Sequence, residues 1–111
     1  VRLMSVALTE YAVRQRTKTV TRRLGWLFLK VGDRITLCRK VMGRKPGERI
    51  ERICDVEITA IRREPLRRIT AEDVRREGFT GHTPMWFINM FCEHMKCTPD
   101  TEVTRITWRY L

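Results

Sequence analysis

Residues 16–23 read Arg16-Thr17-Lys18-Thr19-Val20-Thr21-Arg22-Arg23, four cations and three hydroxyls with no acid among them. In a turn of helix or a tight loop, Lys18 and Thr21 lie three residues apart and can face each other. A lysine beside a threonine hydroxyl is a base next to a nucleophile, by the logic of Ser–Lys enzymes. The lysine must be neutral to take the proton, so burial or nearby cations have to lower its pKa. Arg22 and Arg23 supply such a field, and either is suited to hold a phosphate or polarise a carbonyl. From spacing alone, a plain basic surface loop is the commoner meaning of such a stretch.

Upstream, Leu3–Leu8 is a short apolar run and predicts a strand. Thr9 predicts an N-cap, with Leu8 and Val13 as a hydrophobic staple, for a short helix from Glu10 to about Gln15 or Thr17. Downstream, Gly32-Asp33 signals a turn and Arg34–Val41 alternates as a strand. Gly43–Gly47, with Pro46 inside, reads as a basic hairpin loop. Ile53–Ile61 predicts a long strand, with Cys54, Val56, Ile58 and Ala60 on one face and Asp55, Glu57 and Thr59 on the other. Arg62–Arg68 is a charged connection holding Pro65. Thr70 then caps a helix, with Asp73 at the reciprocal position, Ile69 and Val74 as the staple, and Gly78 as the stop. Thr83-Pro84 opens a further helix whose Phe87, Met90, Phe91 and His94 form a core-facing stripe. Val103–Tyr110 closes the chain as a strand, with Thr104, Ile106, Trp108 and Tyr110 on one side and Arg105 and Arg109 on the other. This order predicts an α+β fold, a small mixed sheet curled into a barrel with two to three flanking helices, as a single domain over residues 1–111. An open sandwich with helices on one side is the competing layout.

Composition narrows the partner. Lys+Arg is 23 and Asp+Glu 13, a formal net charge of +10 in 111 residues, and 18 of the 23 cations are Arg. Three Trp, four Phe and 42% hydrophobic residues exclude intrinsic disorder. No apolar run approaches the ~18 residues of a membrane-spanning helix. A strongly basic, Arg-rich chain points to a polyanion, since the guanidinium fork fits phosphates and guanine edges. Arg39, Lys40, Arg44, Lys45 and Arg49 cluster around the hairpin, and Arg62, Arg63, Arg67 and Arg68 form another group. Each group reads either as a phosphate-contact surface or as a solvated face. Trp26, beside the arginines, is a candidate to stack on a base, although core packing is the commoner fate of a tryptophan among Leu24, Leu27, Phe28 and Leu29. Cys38, Cys54, Cys92 and Cys97 form no CxxC pair. Strand-like sequence from about residue 2 leaves no room for a signal peptide, so an intracellular, cytoplasmic chain with reduced thiols is expected. Cys92 and His94 point roughly 160° apart on an ideal helix. Together with Cys97 and His82 they make a poor zinc set, so neither a metal nor a cofactor is expected.

The stretch 16–23 resembles the signature of the ASCH domain, a relative of the PUA fold, which runs Gly-x-Lys-x-x-(Glu or Thr)-x-Arg. Lys18 and Arg23 match its lysine and closing arginine, Thr21 its variable Glu-or-Thr position, and Arg16 stands in place of its opening glycine. Lys30-Val31-Gly32-Asp33 resembles the family's Lys-x-Gly-Asp turn, Glu77-Gly78-Phe79 its Glu-Gly-Phe at a helix end, and Arg105–Leu111 its closing strand. The resemblance implies a β-barrel with a cleft into which the Lys18 loop and Glu77 project. It also implies binding of RNA, of single-stranded nucleic acid or of a modified nucleobase. From the residues themselves, Thr19, Arg22, Arg23, Trp26, Arg39, Lys40, Arg44, Lys45 and Arg63 are the candidate contacts. One bacterial branch, the N4-acetylcytidine amidohydrolases, implies Lys18, Thr21 and Glu77 as a catalytic set. A small protein of this family is compatible with a bacterial or phage source. A ribonuclease is a further alternative, but no His pair or carboxylate cluster supports it. A basic module that docks on a protein is another.

Overall fold

The computed structural model describes residues 2–111. Its elements in chain order are β1 (Arg2–Ser5), α1 (Glu10–Arg14), β2 (Val20–Arg23), β3 (Arg34–Cys38), β4 (Arg52–Pro65), α2 (Ala71–Arg76), α3 (Pro84–Met95) and β5 (Glu102–Tyr110). The strands form one sheet in the order β1-β3-β4-β5-β2. β1 runs parallel to β3, and the other pairings are antiparallel. This is the predicted α+β arrangement, a mixed sheet curled into a half-barrel with three helices, rather than a sandwich.

Two apolar clusters hold it together. Met4, Val6, Val13, Ile35, Leu37, Val56, Ile58, Ile106 and Trp108 fill the inside of the curl. Leu66, Ile69, Val74, Phe87, Ile88, Phe91 and Val103 form a second cluster beneath α2 and α3. β5 serves both, through Ile106 and Trp108 in the first and Val103 in the second.

Several local expectations change. β1 stops at Ser5, and Ala7–Thr9 is a 3-10 turn. That turn leaves Leu8 67% exposed, so no staple forms with Val13, and the Thr9 side chain caps nothing. β4 is longer than predicted and carries a bulge: Ile58 pairs with Trp108 and Ala60 with Thr107, leaving Thr59 as an extra residue. The bulge reverses the alternation, so Ile61 packs on the inner cluster and Ala60 is exposed. Arg62–Arg68 is the end of this strand plus a 3-10 turn that buries Leu66. Thr70 and Thr83 cap their helices as predicted, accepting from the backbone N–H of Asp73 and of Trp86, each at 3.1 Å. The Asp73 carboxylate completes no capping box, because arginines take it.

Two backbone positions place the loop that carries Lys18. Arg16, past the C-terminal end of α1, has φ 60°. Helices commonly end on a glycine in this left-handed conformation, which costs any other residue roughly 1–2 kcal/mol. Arg16 adopts this conformation without being glycine, and its guanidinium lies 5.5 Å from the Tyr110 ring centroid. Gly78 has φ 103°, and a Cβ there would meet the Ala12 Cβ at 2.9 Å. Only glycine lets the end of α2 approach α1 so closely. Urea unfolding should therefore show Gly78→Ala less stable than wild type by at least about 1–3 kcal/mol. Arg16→Gly should change stability by less than about 1 kcal/mol, relief of strain being offset by the lost ring contact and a looser unfolded chain. A Gly78→Ala variant as stable as wild type would refute the close-approach argument.

Candidate functional site

Lys18 lies two residues before β2, and its carbonyl accepts from Trp108 Nε1 at 3.0 Å and from the Tyr110 hydroxyl. This double anchor fixes the backbone from which the side chain departs. Lys18 Nζ is buried and donates to the Glu77 carbonyl at 2.6 Å and to Glu77 Oε1 at 3.1 Å. Glu77 is the C-cap of α2, where the final carbonyls lack helical partners and the dipole favours a cation. Lys18 thus satisfies both the helix end and the side chain. Thr21 and Arg23 alternate along β2 onto the same side, where Arg23 Nε donates to Thr21 Oγ1 at 3.2 Å and Arg23 Nη2 to the Ser5 carbonyl at 2.8 Å.

These side chains form the polar floor of a cavity of about 220 Å³. Its walls are apolar: Leu8 in the 3-10 turn, Phe79 after α2, and Phe87, Met90, Phe91 and Met95 from α3, with His94. Burial pushes the Lys18 ammonium below its ordinary pKa. Glu77 opposes the shift, and Arg23 and Arg22 add to it. Burial also lowers Arg23, and Glu77 partly offsets it.

Behind the floor lies an ion network. Arg22 Nη2 donates to Glu64 at 3.0 Å and to Asp73 at 2.7 Å, and its Nη1 to Glu77 Oε2 at 3.3 Å. Its Nε is the one buried side-chain polar atom without a partner among the described residues. Arg105 grips Asp73 in a fork, at 2.8 and 3.0 Å. Arg62 reaches Glu64 at 2.6 Å from the exposed side. Burial raises Asp73, but hydrogen bonds from Arg105 and Arg22 outweigh it and hold the carboxyl well below the usual range. Glu64 is lowered in the same way, its burial outweighed by Arg62 and Arg22. Three buried carboxylates, Glu64, Asp73 and Glu77, thus face three buried cations, Lys18, Arg22 and Arg105.

The chain brings Lys18, Thr21, Arg23 and Glu77 into one cavity. Lys18 and Thr21 do not meet as a pair within a helical turn: Thr21 lies in β2, and among the described residues no hydrogen bond joins the two side chains. Arg22 borders the cavity, but its guanidinium is fully enclosed and bound to three carboxylates, which removes it from ligand contact. Arg105, predicted on the opposite side of the strand from Ile106 and Trp108, is buried against Asp73. Thr19 lies in the loop with its backbone bound to Arg76 and Trp108. Trp26 packs on the barrel cluster, 5.3 Å from the Phe28 ring, and does not line the cavity. Arg39, Lys40, Arg44, Lys45 and Arg63 also lie outside it. Of these, Arg39 pairs with Glu10 at 3.3 Å, Lys40 with Glu48 at 3.7 Å and Arg63 with Glu102 at 3.1 Å. Exposed pairs are worth about 0–1 kcal/mol, so such cations are readily given up to a phosphate. Among the described residues no group of three His, Cys, Asp or Glu side chains is placed to hold a metal ion, and no helix is long and apolar enough to cross a membrane. The sequence reading did not anticipate the aromatic wall or the Asp73–Glu64–Arg105 network. Asp73 at a capping-box position was the available signal.

No family model matches the chain, and no curated protein does. Solved structures do. A DUF984-family protein from Enterococcus faecalis V583 superposes with TM-score 0.66 at 12% identity, covering 94% of this chain and 70% of that one. An ASCH domain from Lactobacillus crispatus JV V101 gives TM-score 0.66 at 16% identity over 93% of this chain and 70% of that one. ASCH from Zymomonas mobilis gives 0.61 at 16% identity over 97% and 64%. At such identities the likeness is one of fold, and the fold is that of ASCH domains.

The network makes the chain acid-sensitive. A carboxyl whose folded pKa is depressed contributes stability that is complete above its unfolded value, about 3.9 for Asp, and is lost as pH falls through the folded value. Asp73→Asn should cost about 3–5 kcal/mol at pH 7 by leaving buried arginines uncompensated. Below about pH 4 wild type should lose its advantage, so the two urea midpoints converge. A gap constant down to pH 2 would show that Asp73 is not the acid-labile group.

Proposed function

We propose that this chain, folded as ASCH domains are, holds a nucleobase in the Lys18–Thr21–Arg23–Glu77 cavity and is drawn to single-stranded nucleic acid, RNA first, by its basic surface. The observation that carries the reading is the cavity itself, aromatic and aliphatic walls closing on a hydrogen-bonding floor. A planar ring gains apolar contact from Phe79, Phe87 and Phe91, while its edge meets Thr21 and Lys18. At about 220 Å³ the space suits one base rather than a longer stretch of chain. A base inside a duplex cannot enter, which favours unpaired strands. The net charge of +10 supplies attraction without sequence choice. Fluorescence anisotropy with RNA and single-stranded DNA oligonucleotides should show affinity that falls steeply with salt, with a log–log slope of about −0.7 per phosphate neutralised. Thr21→Ala should weaken binding at fixed salt without changing that slope. Negligible affinity for every oligonucleotide at low salt would sink the reading.

One observation favours a second reading, hydrolysis of an acylated base of the N4-acetylcytidine type. Lys18 is depressed below its ordinary pKa in the same cavity as Thr21. In that chemistry Thr21 Oγ attacks the acetyl carbonyl as its proton passes to Lys18. The bond to the base nitrogen breaks, the amine leaves with the proton, and water releases acetate from Thr21. Arg23 Nε already donates to Thr21 Oγ1 and favours its negative form. The Lys18 side chain has to swing from Glu77 toward Thr21 for the first proton transfer. Incubation with N4-acetylcytidine should then yield cytidine, and Lys18→Ala and Thr21→Ala should each cost at least about 10²-fold. Activity surviving both substitutions would remove these residues from the mechanism.

A further inference from the structure

Arg23 does not fit the ionic balance of the interior. The three buried carboxylates are matched by Lys18, Arg22 and Arg105. Arg23, half-buried in the cavity they back onto, is an additional cation, and among the described residues no carboxylate lies within 4.0 Å of it. Glu77, the acid of the cavity floor, has one oxygen on Lys18 and the other on Arg22. Arg23 itself donates Nε to Thr21 and one Nη2 N–H to the Ser5 carbonyl. A guanidinium has five N–H donors, so three are left without a protein partner. Its unpartnered N–H groups are not sealed in the interior but open to the cavity space, where an arriving anion gains charge-assisted hydrogen bonds. Phosphate oxygens fit the guanidinium fork in pairs. His94, exposed on α3, lines the same cavity and brings a ring N–H.

We infer that Arg23, assisted by His94, is a phosphate subsite of the cavity, so that the preferred ligand is a nucleotide carrying its phosphate rather than a free base or nucleoside. The inference rests on the nucleobase reading above and adds the anionic group to it. It separates two kinds of phosphate contact. The exposed cations of the hairpin attract any polyanion, whereas Arg23 receives one phosphate attached to the base held on the floor.

Calorimetric titrations with the four ribonucleosides and their 3′- and 5′-monophosphates, at one fixed ionic strength, test it. Wild type should bind at least one monophosphate about tenfold or more tightly than its nucleoside, the size of one charge-assisted hydrogen bond. Inorganic phosphate should compete with that monophosphate. In Arg23→Gln the ratio of the two affinities should collapse to about one, and in Arg23→Lys, which keeps the charge but not the fork, it should fall between. Arg75→Gln removes the same charge from the exposed side of α2 and should keep the wild-type ratio. Circular dichroism reports whether each variant folds, and the wild-type comparison decides the matter even if Arg23→Gln does not. Monophosphates no tighter than nucleosides in wild type would overturn the subsite alone. Folded protein that binds neither class would overturn the nucleobase reading with it.

Discussion

The Arg22 guanidinium is the interaction on which the rest depends. It joins Glu64 from β4, Asp73 from α2 and Glu77 from the end of α2, in a place closed to solvent. Apolar packing alone would leave the short α2 free to slide along the sheet. Charge pairing in a low dielectric does not tolerate such slippage, because every ångström of separation exposes an uncompensated ion. Replacing such a network by apolar side chains is often neutral or favourable for stability. Its value here is positional: it presents Glu77 to Lys18 in one orientation, with both carboxylate oxygens assigned.

That placement turns a stretch of hydroxyls and cations into a graded set of groups. Arg22 faces inward and becomes structure, while Thr21 and Arg23, its neighbours on the strand, face the cavity. Alternation along four residues of β2 thus separates the arginine that builds the site from the arginine available to a ligand. Lys18, one turn of chain earlier, is held between these roles by its bond to the helix end.

Most of the fold was legible because its signals are local. Thr70, Thr83-Pro84 and Gly78 mark helix ends by side-chain or backbone chemistry that needs no distant partner. The closing strand announced itself by alternation. What stayed hidden depends on partners far along the chain. The bulge at Thr59 comes from register against β5, which no period within β4 reveals. The burial of Arg105 was not legible, because its partner Asp73 is 32 positions away and seemed committed to a helix cap. The signature drew attention to Lys18, Thr21 and Arg23 and the helix-end motif to Glu77, which share one cavity, yet the same run made Arg22 look equally available. Leu8 and Phe79 belong to the wall only because the 3-10 turn and the end of α2 meet there.

β5 has a further consequence. Its backbone passes through both apolar clusters, Val103 in the one under the helices and Ile106 and Trp108 in the barrel. The cavity lies where those clusters meet, with Val6 from one side and Phe87 and Phe91 from the other. One strand thus spans the boundary between them and fixes the sheet side of the cavity relative to both clusters. Among its lining side chains Leu8 and Met95 are exposed, so their rotation can alter access to the cavity without any movement of the main chain.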